Sequence, residues 1–319
     1  MNKIFQRKIT LLVTSYLLLV TGLCGCQSRQ VLYKDNRLMM GTFVEVASPD
    51  KEAAGIVFSE IARIEGLLSK YKEDSEIARL NKLGELEVSD ETFYILRKAR
   101  EFWQASDGAL DITVGPLVDL WGFTDKKYSV PAEKVIKKTL ELVGTDKIIF
   151  NPGNNVVKFK LRGMKIDLGA IAKGYALDRA VKRLRESGVK SCLINAGGNV
   201  YCLGDKFGKP WNIAVKNPRR PGFTEYLNLQ DEAVATSGDY EQYFIHQEKR
   251  YSHIFNPKIG YPAEAGVVCV TVVAPDGLTA DALATSIFVL GKDKGLKLAE
   301  RFQDVKVEIA EEKDVQNNQ

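Results

Sequence analysis

Two oxygen-bearing side chains, Asp281 and Thr285, stand four residues apart in an alanine-rich stretch. Residues at this spacing share one face of a helix, so both oxygens would point the same way. Carboxylate and hydroxyl oxygens are hard ligands of the kind that Mg²⁺ prefers. The pair therefore predicts a magnesium site. The structural alternative is a capped helix in which Thr285 hydrogen-bonds back to its own backbone.

His253 is the second residue of possible catalytic importance, and the chain contains only 2 histidines. It lies shortly before Asn256 and Pro257, where a turn would bring its imidazole to the end of a strand. An imidazole titrates near neutral pH and can act as a general base. The alternative is a purely structural histidine. The other histidine, His246, falls in a predicted hairpin turn and is expected at the surface.

A third group, at residues 167–175, opens a predicted helix. Free backbone N–H groups and the helix dipole favour anions at such a position, and Lys173 adds a positive charge that can reach a phosphate. The alternative makes Asp167 an N-terminal cap and Lys173 a solvated side chain.

Two further segments combine glycine with polar residues in loops, where backbone can approach a ligand closely. In residues 107–123, the backbone and Asp111 could hold a polar heterocycle or ribose, or the segment could be a helix-ending turn followed by a buried strand. Residues 195–199 predict a hairpin turn between two strands, which is sufficient to explain them.

These residues must be positioned by a mixed set of elements. Helical spacing predicts helices at 53–68, 89–105, 131–144, 169–187, 280–290 and 292–302, with a polar loop at 69–74. Alternating or apolar runs predict strands at 42–46, 156–161, 191–194, 211–215, 240–245, 251–255, 267–274 and 305–309. This order favours an α+β fold with mainly antiparallel sheets over a doubly wound parallel sheet, and the Rossmann glycine fingerprint is absent.

The first residues have the layout of a secretory signal, because basic side chains precede an apolar run that is short for a membrane span. The run ends in Leu23-Cys24-Gly25-Cys26, which resembles a bacterial lipobox and predicts lipidation at Cys26. We therefore expect a signal peptide at 1–25, a tether at 26–37, one domain at 38–310 and a solvated tail at 311–319. The alternative is an ordinary signal peptide without a lipid.

The composition limits the remaining possibilities. The chain has 319 residues, a hydrophobic fraction of 45% and a net charge of only +4, so it can build a proper core. Its basic residues are dispersed along the chain, which argues against nucleic-acid binding. The cysteines form no disulfide framework or zinc spacing, and Cys192 and Cys269 are expected to be buried.

Taken together and in this order, the motifs from Met40-Gly41-Thr42 to Leu290-Gly291 resemble the ApbE family of FAD:protein FMN transferases. The resemblance covers nearly all of the chain after the signal. It implies a T-fold-like α+β architecture with mainly antiparallel sheets flanked by helices. It also implies an activity in which a protein hydroxyl attacks the FMN phosphate of FAD, with Mg²⁺ present, and AMP leaves.

The resemblance also implies roles for particular residues. His253 would be the catalytic base. Ala170, through its carbonyl, would join Asp281 and Thr285 in the Mg²⁺ site. FAD would be held by Met40, Tyr71, the backbone of Ala109, Leu110 and Asp111, and by Asp167, Lys173 and Phe255. Departures from the family pattern are small: Ala170 replaces a common glycine, and Phe255 and Asn256 replace an aliphatic residue and an aspartate.

Two other functions stay open. The first is hydrolysis of FAD to FMN and AMP, which in the family accompanies asparagine at the position of Tyr71; the tyrosine favours transfer. The second is a lipoprotein that binds FAD without chemistry. The expected partners of a transferase are FAD and an acceptor protein with a Ser/Thr flavinylation motif, in a membrane electron-transfer complex. The expected location is the extracytoplasmic face of the cell membrane, through a lipid anchor.

Overall fold

The computed structural model describes residues 30–312, which form strands and helices in alternating groups. The strands are β1 (Tyr33–Met39), β2 (Thr42–Ser48), β3 (Glu85–Glu87), β4 (Ile148–Asn151), β5 (Val156–Phe159), β6 (Cys192–Ala196), β7 (Asn199–Leu203), β8 (Trp211–Lys216), β9 (Phe223–Leu229), β10 (Glu232–Gly238), β11 (Tyr243–His246), β12 (Lys249–Ser252), β13 (Phe255–Asn256), β14 (Tyr261–Pro262), β15 (Val267–Ala274) and β16 (Lys306–Glu311). The helices are α1 (Ala53–Leu68), α2 (Glu76–Leu83), α3 (Asp90–Ala105), α4 (Gly115–Leu120), α5 (Glu133–Leu140), α6 (Ala172–Glu186), α7 (Gly277–Leu290) and α8 (Lys292–Ala299).

The central sheet has seven strands in the order β1-β2-β6-β7-β10-β15-β16, and every neighbouring pair is antiparallel. Alternate residues of these strands point to one face, where Ile194, Ala196 and Tyr201 enter the main hydrophobic core. Helices α1, α6 and α7 supply the other side of that core. The predicted α+β fold with mainly antiparallel sheets is therefore confirmed.

A second, smaller core lies around Trp121, which is fully buried. The Trp121 indole N–H donates to the carbonyl of Gly260 at 3.1 Å. The rings of Tyr251 and Phe255 lie 5.4 and 6.0 Å from the Trp121 ring. This core joins α4 and the residues after it to the hairpin β11–β12 and to the segment that follows the hairpin.

Two tight hairpin turns lie next to each other at one end of the central sheet. Met40 and Gly41, between β1 and β2, have φ of 50° and 74°. Gly197 and Gly198, between β6 and β7, have φ of 60° and 93°. Positive φ at both central residues is the geometry that matches the twist of a two-residue hairpin. A side chain on Gly197 would meet the Thr42 hydroxyl at 2.3 Å, so the two turns are in close contact.

The bounds of several elements differ from the sequence predictions. The helix at 53–68 is confirmed, but α2 (Glu76–Leu83) was missed. The predicted tether at 26–37 ends earlier than expected, because β1 begins at Tyr33. The predicted tail begins one residue later than expected, because β16 extends to Glu311. The proposed buried strand after residue 111 is instead a turn followed by α4, and α5 is shorter than the predicted 131–144 helix.

The predicted signal peptide at 1–25 and the lipidation site Cys26 lie outside the described residues. Within residues 30–312, none of the helices is long and apolar enough to cross a membrane. The expected burial of Cys192 and Cys269 is confirmed.

Candidate active site

The start of α6 packs against the start of α7 without any intervening side chain. A Cβ on Gly174 would lie 2.0 Å from the carbonyl oxygen of Gly277, so only glycine permits this approach. The close contact lets the Gly174 amide donate to Oδ2 of Asp281 at 2.9 Å. Asp178 accepts from the amides of Gly277 and Leu278 at 2.6 and 2.9 Å, which fixes the first turn of α7. Helix α6 thereby sets the position of Asp281.

Asp281 and Thr285 lie on one face of α7, as their spacing predicts. Asp281 is 4% exposed, and the hydroxyl of Thr285 lies 3.2 Å from that of Ser237 on β10. The structural alternative for Thr285, a bond back to its own helix, is wrong. The neighbouring Ser286 makes that bond instead, to the carbonyl of Ala282 at 2.7 Å.

The oxygen atoms at and around Asp281 are suitable ligands for a magnesium ion. The bond from Gly174 occupies Oδ2 of Asp281 and leaves Oδ1 available. The carbonyl of Ala170, just before α6, accepts no backbone hydrogen bond from residues 30–312. One carboxylate, one hydroxyl and one carbonyl are all hard oxygen donors, and Mg²⁺ commonly completes such a set with water and substrate phosphate. The described part of the chain has no cluster of three or more His, Cys, Asp or Glu suited to a metal, so the site depends on this mixed set.

Lys173 is the positive charge of the site. It is half-buried in the first turn of α6, where the helix dipole adds to its field. Its charge lowers the pKa of His253 and opposes the raised pKa of Glu241, so the three groups interact electrostatically.

Glu241 was not identified from the sequence. Desolvation raises the pKa of Glu241, the charge of Lys173 opposes this shift, and the charge of Asp281 adds to it. A carboxyl group thus interacts electrostatically with both Lys173 and Asp281. The only local sign of a functional role for Glu241 was its position after Ser237-Gly238-Asp239-Tyr240. That sign is weak, because nothing in this segment predicts an interaction with Lys173 of α6.

His253 follows β12 and lies within the range of the charges of Lys173 and Asp167. Its Nδ1 lies 3.2 Å from the carbonyl of Gln242, which can only accept, so Nδ1 carries the proton and Nε2 keeps a free lone pair. Desolvation, and then the positive charge of Lys173, lower the pKa of His253 to about 4. The ring is therefore neutral at pH 7, in the protonation state that a general base requires.

Asp167 lies beside the site but is not the cap of α6, which begins after Ile171. Its carboxylate pairs with the ammonium group of Lys70 at 2.8 Å. Lys70 also lies 5.0 Å from the centre of the Tyr71 ring. The pair joins the loop after α1 to the segment before α6, and its 97-residue separation in the sequence explains why the sequence did not reveal it.

The side chain of Asp111 is occupied by the protein. Its carboxylate accepts from the amide and hydroxyl of Thr113 at 2.8 and 2.5 Å, and from those of Thr145 at 3.1 and 2.9 Å. Burial raises its pKa despite these bonds. The interpretation in which the Asp111 side chain holds a ligand is therefore disfavoured, and only backbone contacts remain for this residue and the buried Ala109 and Leu110.

The other expected cofactor contacts lie at different depths. Met40 sits in the β1–β2 turn, where its amide donates to Glu65 at 2.9 Å. Tyr71 is 66% exposed, so its ring is free to stack on a ligand. Phe255 is buried with its side chain in the Trp121 core, so its side chain is not available to a ligand.

A cavity of about 870 Å³ opens elsewhere, beside α3 and the outer face of α6. Its lining includes Tyr94, Asp178 and Tyr201, but not Lys173, His253 or Asp281. Volume alone therefore does not identify the reactive site. The candidate site is instead defined by Lys173, His253 and the oxygen ligands of Asp281 and Thr285.

An α+β protein with a lysine at a helix start, a neutral histidine and a set of oxygen donors is organised to handle a phosphate-bearing ligand. The family comparison gives the same class: the ApbE family matches residues 40–309, and the chain belongs to that family.

Individual relatives support this assignment. The chain is 35% identical to the FAD:protein FMN transferase of Haemophilus influenzae over 73% of this chain and 71% of that protein. It is 33% identical to that of Treponema pallidum over 89% and 86%. Among solved structures, the ApbE protein of Thermotoga maritima is 37% identical, with a TM-score of 0.83, over 89% of this chain and 95% of that one. The flavin transferase ApbE of Vibrio cholerae is 29% identical, with a TM-score of 0.77, over 88% and 94%.

Proposed function

We propose that this protein transfers FMN from FAD to a Ser or Thr hydroxyl of an acceptor protein and releases AMP. The observation that carries the proposal is the contact between α6 and α7, where the amide of Gly174, the residue after Lys173, holds the carboxylate of Asp281 at 2.9 Å. Membership of the ApbE family, whose relatives bear the name FAD:protein FMN transferase, supports the choice of substrate.

The reaction exchanges one P–O bond for another. The acceptor hydroxyl oxygen forms a bond to the FMN phosphorus, the bond from that phosphorus to the bridging oxygen breaks, and AMP leaves with the bridging oxygen. His253 takes the hydroxyl proton on Nε2, because Nδ1 is held by Gln242. Lys173 and the start of α6 stabilise the negative charge that grows on the phosphates.

We further propose Mg²⁺ at the carbonyl of Ala170, the carboxylate of Asp281 and the hydroxyl of Thr285. When bound, the ion would offset charge on the bridging phosphates. The carboxylate is already oriented by Gly174, so the chain holds it in place before the ion arrives.

We also propose that FAD contacts Met40, Tyr71, Asp167, Lys173 and the backbone of residues 109–111 and 255. The exposed Tyr71 ring offers a stacking surface, and the Lys70–Asp167 pair lies beside it. A stacked and ordered cofactor disfavours attack by water, which supports transfer over hydrolysis.

A further part of the proposal concerns location. The lipobox-like sequence supports diacylation at Cys26 and attachment to the outer face of the cell membrane, where a subunit of an electron-transfer complex would be the acceptor. Mass spectrometry of the mature N-terminus tests this, with Cys26→Ser as the variant. An unmodified N-terminus in the wild-type protein would contradict it.

The decisive experiment incubates the fragment that follows Cys26 with FAD, Mg²⁺ and an acceptor domain. Mass spectrometry then measures covalent FMN on the acceptor. A gain of one FMN that disappears on chelation, and in His253→Gln, supports transfer. Free FMN and AMP without labelling would identify a hydrolase instead, and intact bound FAD under all conditions would identify a binding protein.

A further inference from the structure

Asn199 is a buried polar residue without a partner. It is 1% exposed, and neither Nδ2 nor Oδ1 has a hydrogen-bond partner among the described residues. A buried amide normally has partners, since losing its bonds to water is costly. An exception in a folded protein calls for an explanation, such as a ligand that supplies the missing bonds.

The face of the sheet on which Asn199 lies is known from its neighbours. It opens β7 directly opposite Ala196 of β6, and directly opposed residues point to the same face. Ala196 and Tyr201 belong to the main core, below the α6–α7 layer. Asn199 therefore places its amide on the face that carries the candidate active site.

Asn199 also lies at the correct end of that sheet. Gly197, two residues earlier, touches Thr42 beside the Met40 turn. On the other side, β10 pairs with β7 through Val234 and Val200, and continuing that register puts Ser237 diagonally across from Asn199. Such a diagonal spans roughly 7–8 Å. Asn199 thus stands between the expected flavin contact and the Ser237–Thr285 pair of the metal site.

The chemistry of the missing partner follows from the amide itself. A carboxamide has one acceptor oxygen and two N–H donors, and here both ends lack partners. A phosphate offers only acceptors and would leave Oδ1 unpaired. The pyrimidine-dione edge of a flavin offers carbonyl acceptors next to an N–H donor and satisfies both ends.

We infer that Asn199 is a further cofactor-binding residue, whose amide recognises the flavin ring of FAD. This inference rests on the proposed function for the identity of the ligand. Two ordinary hydrogen bonds correspond to a roughly 10-fold to 100-fold change in Kd. Asn199→Leu keeps a similar volume and removes both bonds.

The test measures Kd for FAD and for ADP, which lacks the flavin, by calorimetry on the fragment after Cys26, together with the apo Tm. We expect Asn199→Leu to weaken FAD binding at least about 10-fold, with ADP binding unchanged and the apo Tm unchanged or raised. Asn195→Leu is the control for a disturbed hairpin: this amide lies in the same hairpin on the opposite face, where it donates to Glu45 and accepts from the amide of Gly198. It should weaken FAD binding less than Asn199→Leu does.

Three results would overturn the inference. Unchanged FAD binding with a lower apo Tm would show that a structural water satisfies the amide. Equal losses for FAD and ADP would show that the amide does not recognise the flavin ring, and equal losses in both variants would show a disturbed hairpin. A wild-type protein that does not bind FAD would refute the inference and the proposed function together. A wild-type protein that binds FAD but does not transfer FMN would refute the function alone, since the Kd comparison does not depend on turnover.

Discussion

Gly174→Ala should separate α6 from α7 and displace Asp281. The added Cβ would lie 2.0 Å from the Gly277 carbonyl oxygen and 2.8 Å from Cβ of Asp281, whereas ordinary contact begins at 3.4 Å. Both neighbours belong to helix α7, so neither can rotate away as a long side chain would. The helices must therefore move apart by more than 1 Å, and the bond from the Gly174 amide to Asp281 is weakened or lost.

The size of the effect follows from these two losses. Overpacking of a tight core site costs about 1–3 kcal/mol, and loss of a hydrogen bond to a carboxylate costs about 1.5–3 kcal/mol. The free energy of unfolding should fall by roughly 3–5 kcal/mol. Since 1 kcal/mol shifts the Tm of a domain of this size by about 2–4 °C, we expect a Tm lower by roughly 6–20 °C.

The assay is thermal unfolding followed by circular dichroism, combined with a Mg²⁺ titration of FMN transfer. Gly66→Ala in α1 is the matched control, because nothing lies within 4 Å of its Cβ position and its φ is that of an ordinary helix. It should be neutral or slightly stabilising. A Gly174→Ala variant that melts within 2 °C of wild type, about the effect of 1 kcal/mol or less, and keeps its Mg²⁺ dependence would refute the reasoning.

Three other outcomes are expected. Asp281→Asn keeps an oxygen acceptor for the Gly174 amide but removes the negative charge. The Mg²⁺ concentration for half-maximal transfer should therefore rise by more than the roughly 10–100-fold seen when a residue that only supports the metal ligands is replaced. An unchanged Mg²⁺ titration would place the metal elsewhere. Without FAD, His253 has a pKa near its ordinary 6.5 in the unfolded chain and about 4 in the folded protein. The unfolded chain therefore binds the proton first, and the free energy of unfolding should fall as the pH drops from about 6.5 to about 4. Denaturant unfolding of His253→Gln should show a shallower fall, and an identical slope would contradict the assignment. Burial raises the pKa of the thiols of Cys192, Cys202 and Cys269 to about 12. Ellman's reagent should therefore label the folded fragment after Cys26 hardly at all, and should label all three thiols when the fragment unfolds. Rapid labelling of the folded protein would contradict their burial.

The sequence predicted those parts of the fold that depend on local pattern. Helix α1 follows from apolar spacing, and the turn at Gly197 and Gly198 follows from two glycines between apolar runs. Helix α2 was missed although its signals are present: Ser75 caps its start and Gly84 ends it in the left-handed conformation. That helix has only eight residues, so its apolar pattern repeats too few times to be distinguished from the polar loop before it.

The site was predicted less completely, because its parts meet only after folding. Asp281 and Thr285 share a face through helix geometry, which spacing reveals. The Lys70–Asp167 pair and the contact of Gly174 with Gly277 join segments about 100 residues apart, and no local pattern encodes such contacts. The resemblance to a known family supplied the remaining positions, such as the carbonyl of Ala170.

The aromatic core around Trp121 connects the segment that carries His253 to helix α4. Tyr251 of β12 lies two residues before His253, and Phe255 two residues after it; both rings pack on the same indole. That indole is also anchored by Gly260, in the segment beyond His253. The chain on both sides of His253 is consequently attached to one packed cluster. A substitution that loosens Trp121 would therefore displace the imidazole without touching it.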